Sequence, residues 1–255
     1  MPKLVKNDRL HPFKKFRPIA SGDIDKTLGG FLAIILIIFS LGLSSLINPT
    51  FFLFTIVYLL LQIFYSSFLK TITVIDILAI ASGYILRVLG GEIASGYHIS
   101  VWLLLTTISI SLFLAIGKRR SELTLLASSK VGNISATRKT LSHYSERLLD
   151  VYASIFATST FISYSLFTFL ENPRGINFSF GGVLLPDFLP GFFQRKWLML
   201  TIIPVVYGLM RYLQDIYEKH EGESPERVLF SDKPLLATVT IWVLMVIFII
   251  YFVSP

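Results

Sequence analysis

At 255 residues, 53% hydrophobic and only 15% charged, with a mean hydropathy of +0.68, the chain is too apolar for an ordinary soluble domain and reads as an integral membrane protein. It has no cysteine, which excludes disulfides, thiolate metal sites and a cysteine nucleophile. A net charge of +7 could suit nucleic acid, but the basic residues fall between the apolar runs rather than on a soluble face, which argues against nucleic acid as a partner.

The first 26 residues are polar and show no signal-peptide pattern. From Leu28 to Leu69 there is no charged residue, and the run is broken only at Asn48-Pro49-Thr50. Since roughly 20 residues cross a bilayer core, this predicts two spans, about 28–47 and 51–69, joined by a tight turn. Further spans are expected at about 74–95 and 100–116, followed by a polar loop from Gly117 to about Glu146. Span five is about 147–170, then a Gly/Pro/Phe-rich connection (171–197), span six at about 198–217, a charged loop (218–233) and span seven at about 234–253. The expected fold is all-α, a polytopic membrane bundle of about seven helices forming a single transmembrane domain over 1–255.

Seven helices alternate sides. The loops on the N-terminal side hold 17 Lys and Arg, and the other side holds Arg174, Arg195 and Lys196. By the positive-inside rule the N-terminus and the charged loops are expected in the cytoplasm, with the protein in the cell membrane.

The densest polar stretch is Asn7-Asp8-Arg9-Leu10-His11-Pro12-Phe13-Lys14-Lys15-Phe16-Arg17-Pro18-Ile19-Ala20-Ser21-Gly22. A diphosphate carries two to three negative charges, which Lys, Arg and a carboxylate-held divalent ion can offset. On that reading Asp8 serves a metal, and Lys14, Lys15 and Arg17 serve phosphate oxygens. The plainer alternative is an orientation signal beside a first transmembrane helix.

The order of these residues resembles one branch of the UbiA superfamily of membrane prenyltransferases, the polyprenyl (decaprenyl)-phosphate phosphoribosyltransferases. There N-D-x-x-D-x-x-x-D runs into R-x-H-P-x-K-x-x-R-P-I-A-x-G, and Asp8 to Gly22 match from the last aspartate onward, including Arg9 and His11. The two earlier aspartates have no counterpart: Leu4 stands four residues before Asp8. Tyr65-Ser66-Ser67-Phe68-Leu69-Lys70, Asp76 and Ser82-Gly83-Tyr84-Ile85-Leu86-Arg87 resemble the family's Y-S-x-x-L-K, D and G-F-x-L-R. Gly117-Lys118-Arg119-Arg120-Ser121-Glu122-Leu123 matches G-K-R-x-x-E-L, where aromatic prenyltransferases of the superfamily carry a second D-x-x-x-D. Arg211-Tyr212, with Asp215 four residues on, resembles an R-Y with a following acidic residue; Arg211 and Asp215 could equally form a helical ion pair. Family members have nine helices, so the resemblance implies that the first two are lacking here.

The resemblance implies transfer of a 5-phosphoribosyl group from phosphoribosyl diphosphate to a polyprenyl phosphate, with Mg2+ on the departing diphosphate and a place in cell-wall synthesis. It implies Asp8 (also the metal ligand), Asp76 and Arg87 as catalytic or pocket residues, and Arg9, His11, Lys14, Lys15, Arg17, Tyr65, Lys70, Lys118, Arg119, Glu122 and Arg211 as substrate-binding. Arg87 and Glu92 also stand out without it, because an ionisable group inside an apolar span needs a polar cavity or a partner. Two other readings stay open: an intramembrane prenyltransferase acting on an aromatic or lipid acceptor, and a catalytically inactive truncated or transporter-like membrane protein.

Overall fold

The computed structural model describes residues 18–128, 141, 143–170, 179–180, 183–184, 197–219 and 225–253. Seven helical segments among them are long and apolar enough to cross a membrane, the last two being Trp197–Tyr217 and Lys233–Tyr251 with their flanking turns. The α-helices are α1 (Lys26–Ile47), α2 (Pro49–Ser67), α3 (Ile75–Ser95), α4 (Val101–Ser128), α5 (Glu146–Leu170), α6 (Ile202–Gln214) and α7 (Lys233–Phe248). A 3₁₀ turn at Trp197–Thr201 leads into α6 and a π turn at Asp215–Lys219 extends it, while a short helix at Pro225–Ser231 precedes α7. One minimal antiparallel ladder pairs Ser179 with Leu184 and Phe180 with Val183. The chain divides into two compact units, one of Met1–His98 with Leu123–Ser145 and the other of Ile99–Glu122 with Glu146–Pro255.

In the first unit each helix end follows from local chemistry. The Asp25 carboxylate caps α1 by accepting from the Thr27 amide at 3.1 Å and from the Thr27 hydroxyl. Those two bonds hold its pKa below the ordinary 3.8, so the cap is intact above that value and is lost as the pH falls through the lowered one. Asn48 ends one helix and starts the next. Its amide donates to the Ser44 carbonyl, its Oδ1 accepts from the Thr50 and Phe51 amides at 2.7 and 3.3 Å, and Pro49 takes the first helical position of α2. Small residues on α3 let α2 approach: a Cβ on Gly83 or Gly90 would stand 3.4 Å from Gln62 or Phe51. The side chains of α1 are largely exposed, apart from Ser44, as expected of a lipid-facing helix.

In the second unit α5, α6 and α7 are tied by hydroxyl and indole groups. Trp242 Nε1 donates to Tyr164 Oη at 2.8 Å, and Tyr164 Oη lies 2.6 Å from the Thr201 hydroxyl. Buried Thr160, Ser163 and Thr168 donate to carbonyls one turn back on α5, so they add polarity without orphan groups.

The expected loop from Gly117 is a correction. The α4 helix continues through Lys118, Arg119 and Arg120 to Ser128. Hydropathy marks where the apolar run stops, whereas this polar sequence is rich in helix formers and places Arg119 and Glu122 one turn apart. Gly117 is tolerated inside the helix because the α6 end comes close: a Cβ there would sit 2.8 Å from Ile216 Cδ1 and 3.0 Å from Tyr212 Oη. Gly117→Ala is therefore expected to lower the thermal midpoint of the detergent-extracted protein, whereas Gly30→Ala, whose Cβ meets nothing within 4 Å, leaves it unchanged or raises it. Unfolding followed by intrinsic fluorescence checks the contrast.

Candidate functional site

In the first unit, the polar centre lies where α2 hands over to α3. Tyr65 stands near the end of α2, Lys70 in the 3₁₀ turn Leu69–Thr71, and Asp76 in the first turn of α3. Tyr65 and Lys70 are half-buried, whereas Asp76 is 0% exposed. A carboxylate in the first turn of a helix is favoured by the amide dipoles pointing at it. Tyr144 Oη donates to Asp76 Oδ1 at 2.8 Å and accepts from the Val74 amide at 2.7 Å.

Arg87 is placed elsewhere on the same helix. Eleven residues separate it from Asp76, about 16 Å along the axis, so the two do not meet around one small group. Its guanidinium donates to Tyr58 Oη at 2.6 Å and stacks over the Tyr58 and Tyr84 rings, each 5.4 Å away. The partner expected for a charge inside the span is thus a pair of tyrosines. Glu92 pairs with His98 at 2.9 Å.

In the second unit, the polar centre is built on the C-terminal turns of α4. Arg119 is 0% exposed and pairs with Glu122, itself 2% exposed, while Lys118 is half-buried. Arg120 donates to Asp150 Oδ1 at 2.7 Å, lies 3.2 Å from Glu146, and stacks over Tyr217 at 5.3 Å. Gly117 brings Tyr212 against Phe113, with ring centroids 5.4 Å apart. Arg211 grips Asp232 with two nitrogens at 2.9 and 2.8 Å and lies 3.9 Å from Asp215, so the i,i+4 contact is secondary to a bidentate pair reaching α7. Asp232 in turn caps α7 by accepting from the Leu235 amide at 3.0 Å.

The expected residues Asp8, Arg9, His11, Lys14, Lys15 and Arg17 lie outside the described residues. Those that are described divide between the units. Tyr65, Lys70, Asp76 and Arg87 belong to the first, and Lys118, Arg119, Glu122 and Arg211 to the second. Sequence reading missed Tyr144, Tyr58, Asp150 and Asp232 as partners. Asp232 was detectable, because an acidic residue two before a proline at the start of an apolar run is a helix-cap pattern. Nothing periodic connects Tyr144 to Asp76, 68 residues apart.

The profile of the UbiA prenyltransferase family matches residues 5–231. The chain belongs to that family. Among curated relatives of this UbiA chain is the decaprenyl-phosphate phosphoribosyltransferase of Corynebacterium glutamicum, 31% identical over 249 residues, covering 97% of this chain and 69% of the relative. The protein of the same name from Mycobacterium tuberculosis is 30% identical over 239 residues, covering 94% of this chain and 71% of its own. The fold resembles that of a UbiA homolog from Archaeoglobus fulgidus, with a TM-score of 0.64 at 16% identity over 97% of this chain and 80% of the other. The UbiA-like all-α fold and the multi-pass membrane character expected from the sequence are thereby borne out, and the chain is a UbiA-family transferase.

Proposed function

We propose that this UbiA-family transferase moves a 5-phosphoribosyl group from phosphoribosyl diphosphate to the phosphate of a polyprenyl phosphate, releasing diphosphate. The observation that carries the reading is the α4 end. Arginines are buried there, Arg119 on Glu122 and Arg120 on Asp150 and Glu146, at the position where the aromatic prenyltransferases carry D-x-x-x-D. The relatives' name, decaprenyl-phosphate phosphoribosyltransferase, supports a phosphoribosyl group and a polyprenyl-phosphate acceptor. A lipid phosphate oxygen attacks the anomeric carbon as the bond from that carbon to the diphosphate oxygen breaks, so no protein nucleophile is needed. Positive charge develops on the ring and negative charge on the leaving group, and pre-oriented cations lower the barrier most when aimed at the latter. The candidate phosphate-binding residues of this reading are Lys118 and Arg119 on α4 and, in the N-terminal stretch outside the described residues, Lys14 and Arg17. Asp76 and Arg87 are its candidate pocket residues, held by Tyr144 and by Tyr58 with Tyr84 respectively.

Among the described residues no three His, Asp or Glu side chains gather in a way that could hold a metal ion, and Asp8 lies outside them. Mg2+ belongs to the proposal as an ion that offsets charge on the diphosphate when bound, and no step here is routed through it.

Membranes carrying the chain are expected to convert labelled phosphoribosyl diphosphate and polyprenyl phosphate into labelled lipid. Arg119→Met is expected to lower kcat/KM for the donor by about tenfold to a hundredfold, the loss of one charge-assisted contact. Prenylation of an aromatic acceptor instead, with no labelled lipid, would contradict the reading.

The proposed orientation puts the charged loops in the cytoplasm of a cell whose plasma membrane holds the protein. The natural chain has no cysteine, so single introduced thiols report it cleanly. A membrane-impermeant maleimide added to intact cells is expected to label Tyr97→Cys, at an 81% exposed position after α3, and to spare His143→Cys before α5. The reverse pattern would invert the topology.

A further inference from the structure

The turn between α2 and α3 carries a feature that the reaction as written does not use. Val74 adopts φ 70° and ψ −46°, and among the described residues it is the only non-glycine with a positive φ. That region is disfavoured for any side chain and more so for a β-branched one, so such a turn persists only where its surroundings hold it. What holds it is a phenol that arrives from the segment before α5. The Tyr144 oxygen accepts the Val74 amide at 2.7 Å. An amide can only donate, so the phenolic hydrogen is directed elsewhere, and Asp76 Oδ1 lies 2.8 Å away to receive it. With Tyr144 only 5% exposed and Asp76 fully buried, packing fixes both ends of the contact.

One oxygen therefore ties a strained turn to a buried carboxylate two residues further on. We infer that Tyr144 is a positioning residue, its hydroxyl fixing the rotamer of Asp76 so that the carboxylate meets the hydroxyl groups of the transferred sugar. The Val74 conformation is what brings its amide and Asp76 Oδ1 to the same phenol. A vicinal diol is a natural partner for a carboxylate, which accepts at two oxygens. The identity of the sugar rests on the phosphoribosyl reading. The contact itself does not.

Initial-rate kinetics on monodisperse, detergent-extracted full chain, with labelled phosphoribosyl diphosphate and polyprenyl phosphate, test the inference. Tyr144→Phe keeps the ring and removes the hydroxyl. It is expected to lower kcat by about tenfold while the KM for polyprenyl phosphate stays within about twofold. Asp76→Asn is expected to cost more, and adding Tyr144→Phe to it no more than about twofold further, because the hydroxyl acts through the carboxylate. Val74→Gly is the second probe, since glycine accepts the positive φ freely. Combined with Tyr144→Phe it is expected to restore the thermal midpoint, which keeps the test alive should Tyr144→Phe alone not survive extraction, while kcat stays low. Two results overturn the inference: multiplicative losses in the Tyr144/Asp76 double variant, or recovery of kcat by Val74→Gly, which would make Tyr144 a prop for the turn alone. If the wild type ignores phosphoribosyl diphosphate but consumes a prenyl diphosphate, the donor reading fails and the sugar contact inferred for Asp76 fails with it. Silence with both donors overturns the two together.

Discussion

A charged side chain at the edge of a hydrocarbon slab must be met by a partner, because its desolvation costs several kcal/mol otherwise. That requirement shapes the helix ends of this chain. Asp76 is met by Tyr144, Arg119 by Glu122, Arg120 by Asp150 and Glu146, and Arg211 by Asp232. The Arg120 and Arg211 pairs link different helices of the second unit, α4 with α5 and α6 with the cap of α7, so satisfying those charges also sets which helix ends lie together there. Gly117 serves the same end by letting the end of α6 settle beside the basic turns of α4.

The pairing changes what the basic cluster can be. In the second unit, Arg119, Arg120 and Arg211 pair with Glu122, Glu146, Asp150, Asp215 and Asp232, so these arginines do not form a bare positive field. The carboxylates instead hold planar guanidinium groups in fixed orientations. Arg119 is the clearest case, locked on its own helix by Glu122 with no exposed surface. A guanidinium offers five donors in a rigid fork, and a partner that occupies one edge pre-orients the others. Preorganisation of that kind is what phosphoryl and ribosyl transfer call for, since charge on the leaving group must be met without reorganisation.

How much of this was legible in the sequence follows from the physics of each element. The apolar runs and the Asn48-Pro49-Thr50 break announced the spans and the corner between α1 and α2, because backbone capping is a local matter. Asp76, Arg119 and Glu122 were marked as site residues by motif, yet the backbone around Lys118 to Leu123 was expected to be a loop. Composition there changes from apolar to charged without any helix-stopping residue, and the helix runs on. The Arg211 partner was sought at i+4, where local spacing puts one, but the bidentate geometry belongs to Asp232 at the start of another helix. The pairing of Tyr144 with Asp76 left no trace, since a contact across 68 residues between a loop tyrosine and a helix aspartate has no period to detect.

The central claim, that oriented arginines at the end of α4 receive the phosphates of the donor, is tested most directly by an experimental structure of the full chain with phosphoribosyl diphosphate bound. The account predicts donor phosphate oxygens within hydrogen-bond distance of Arg119 and Lys118, with the Arg119–Glu122 and Tyr144–Asp76 pairs intact. Donor density resting against other side chains, with Arg119 and Lys118 making no contact to it, would contradict it.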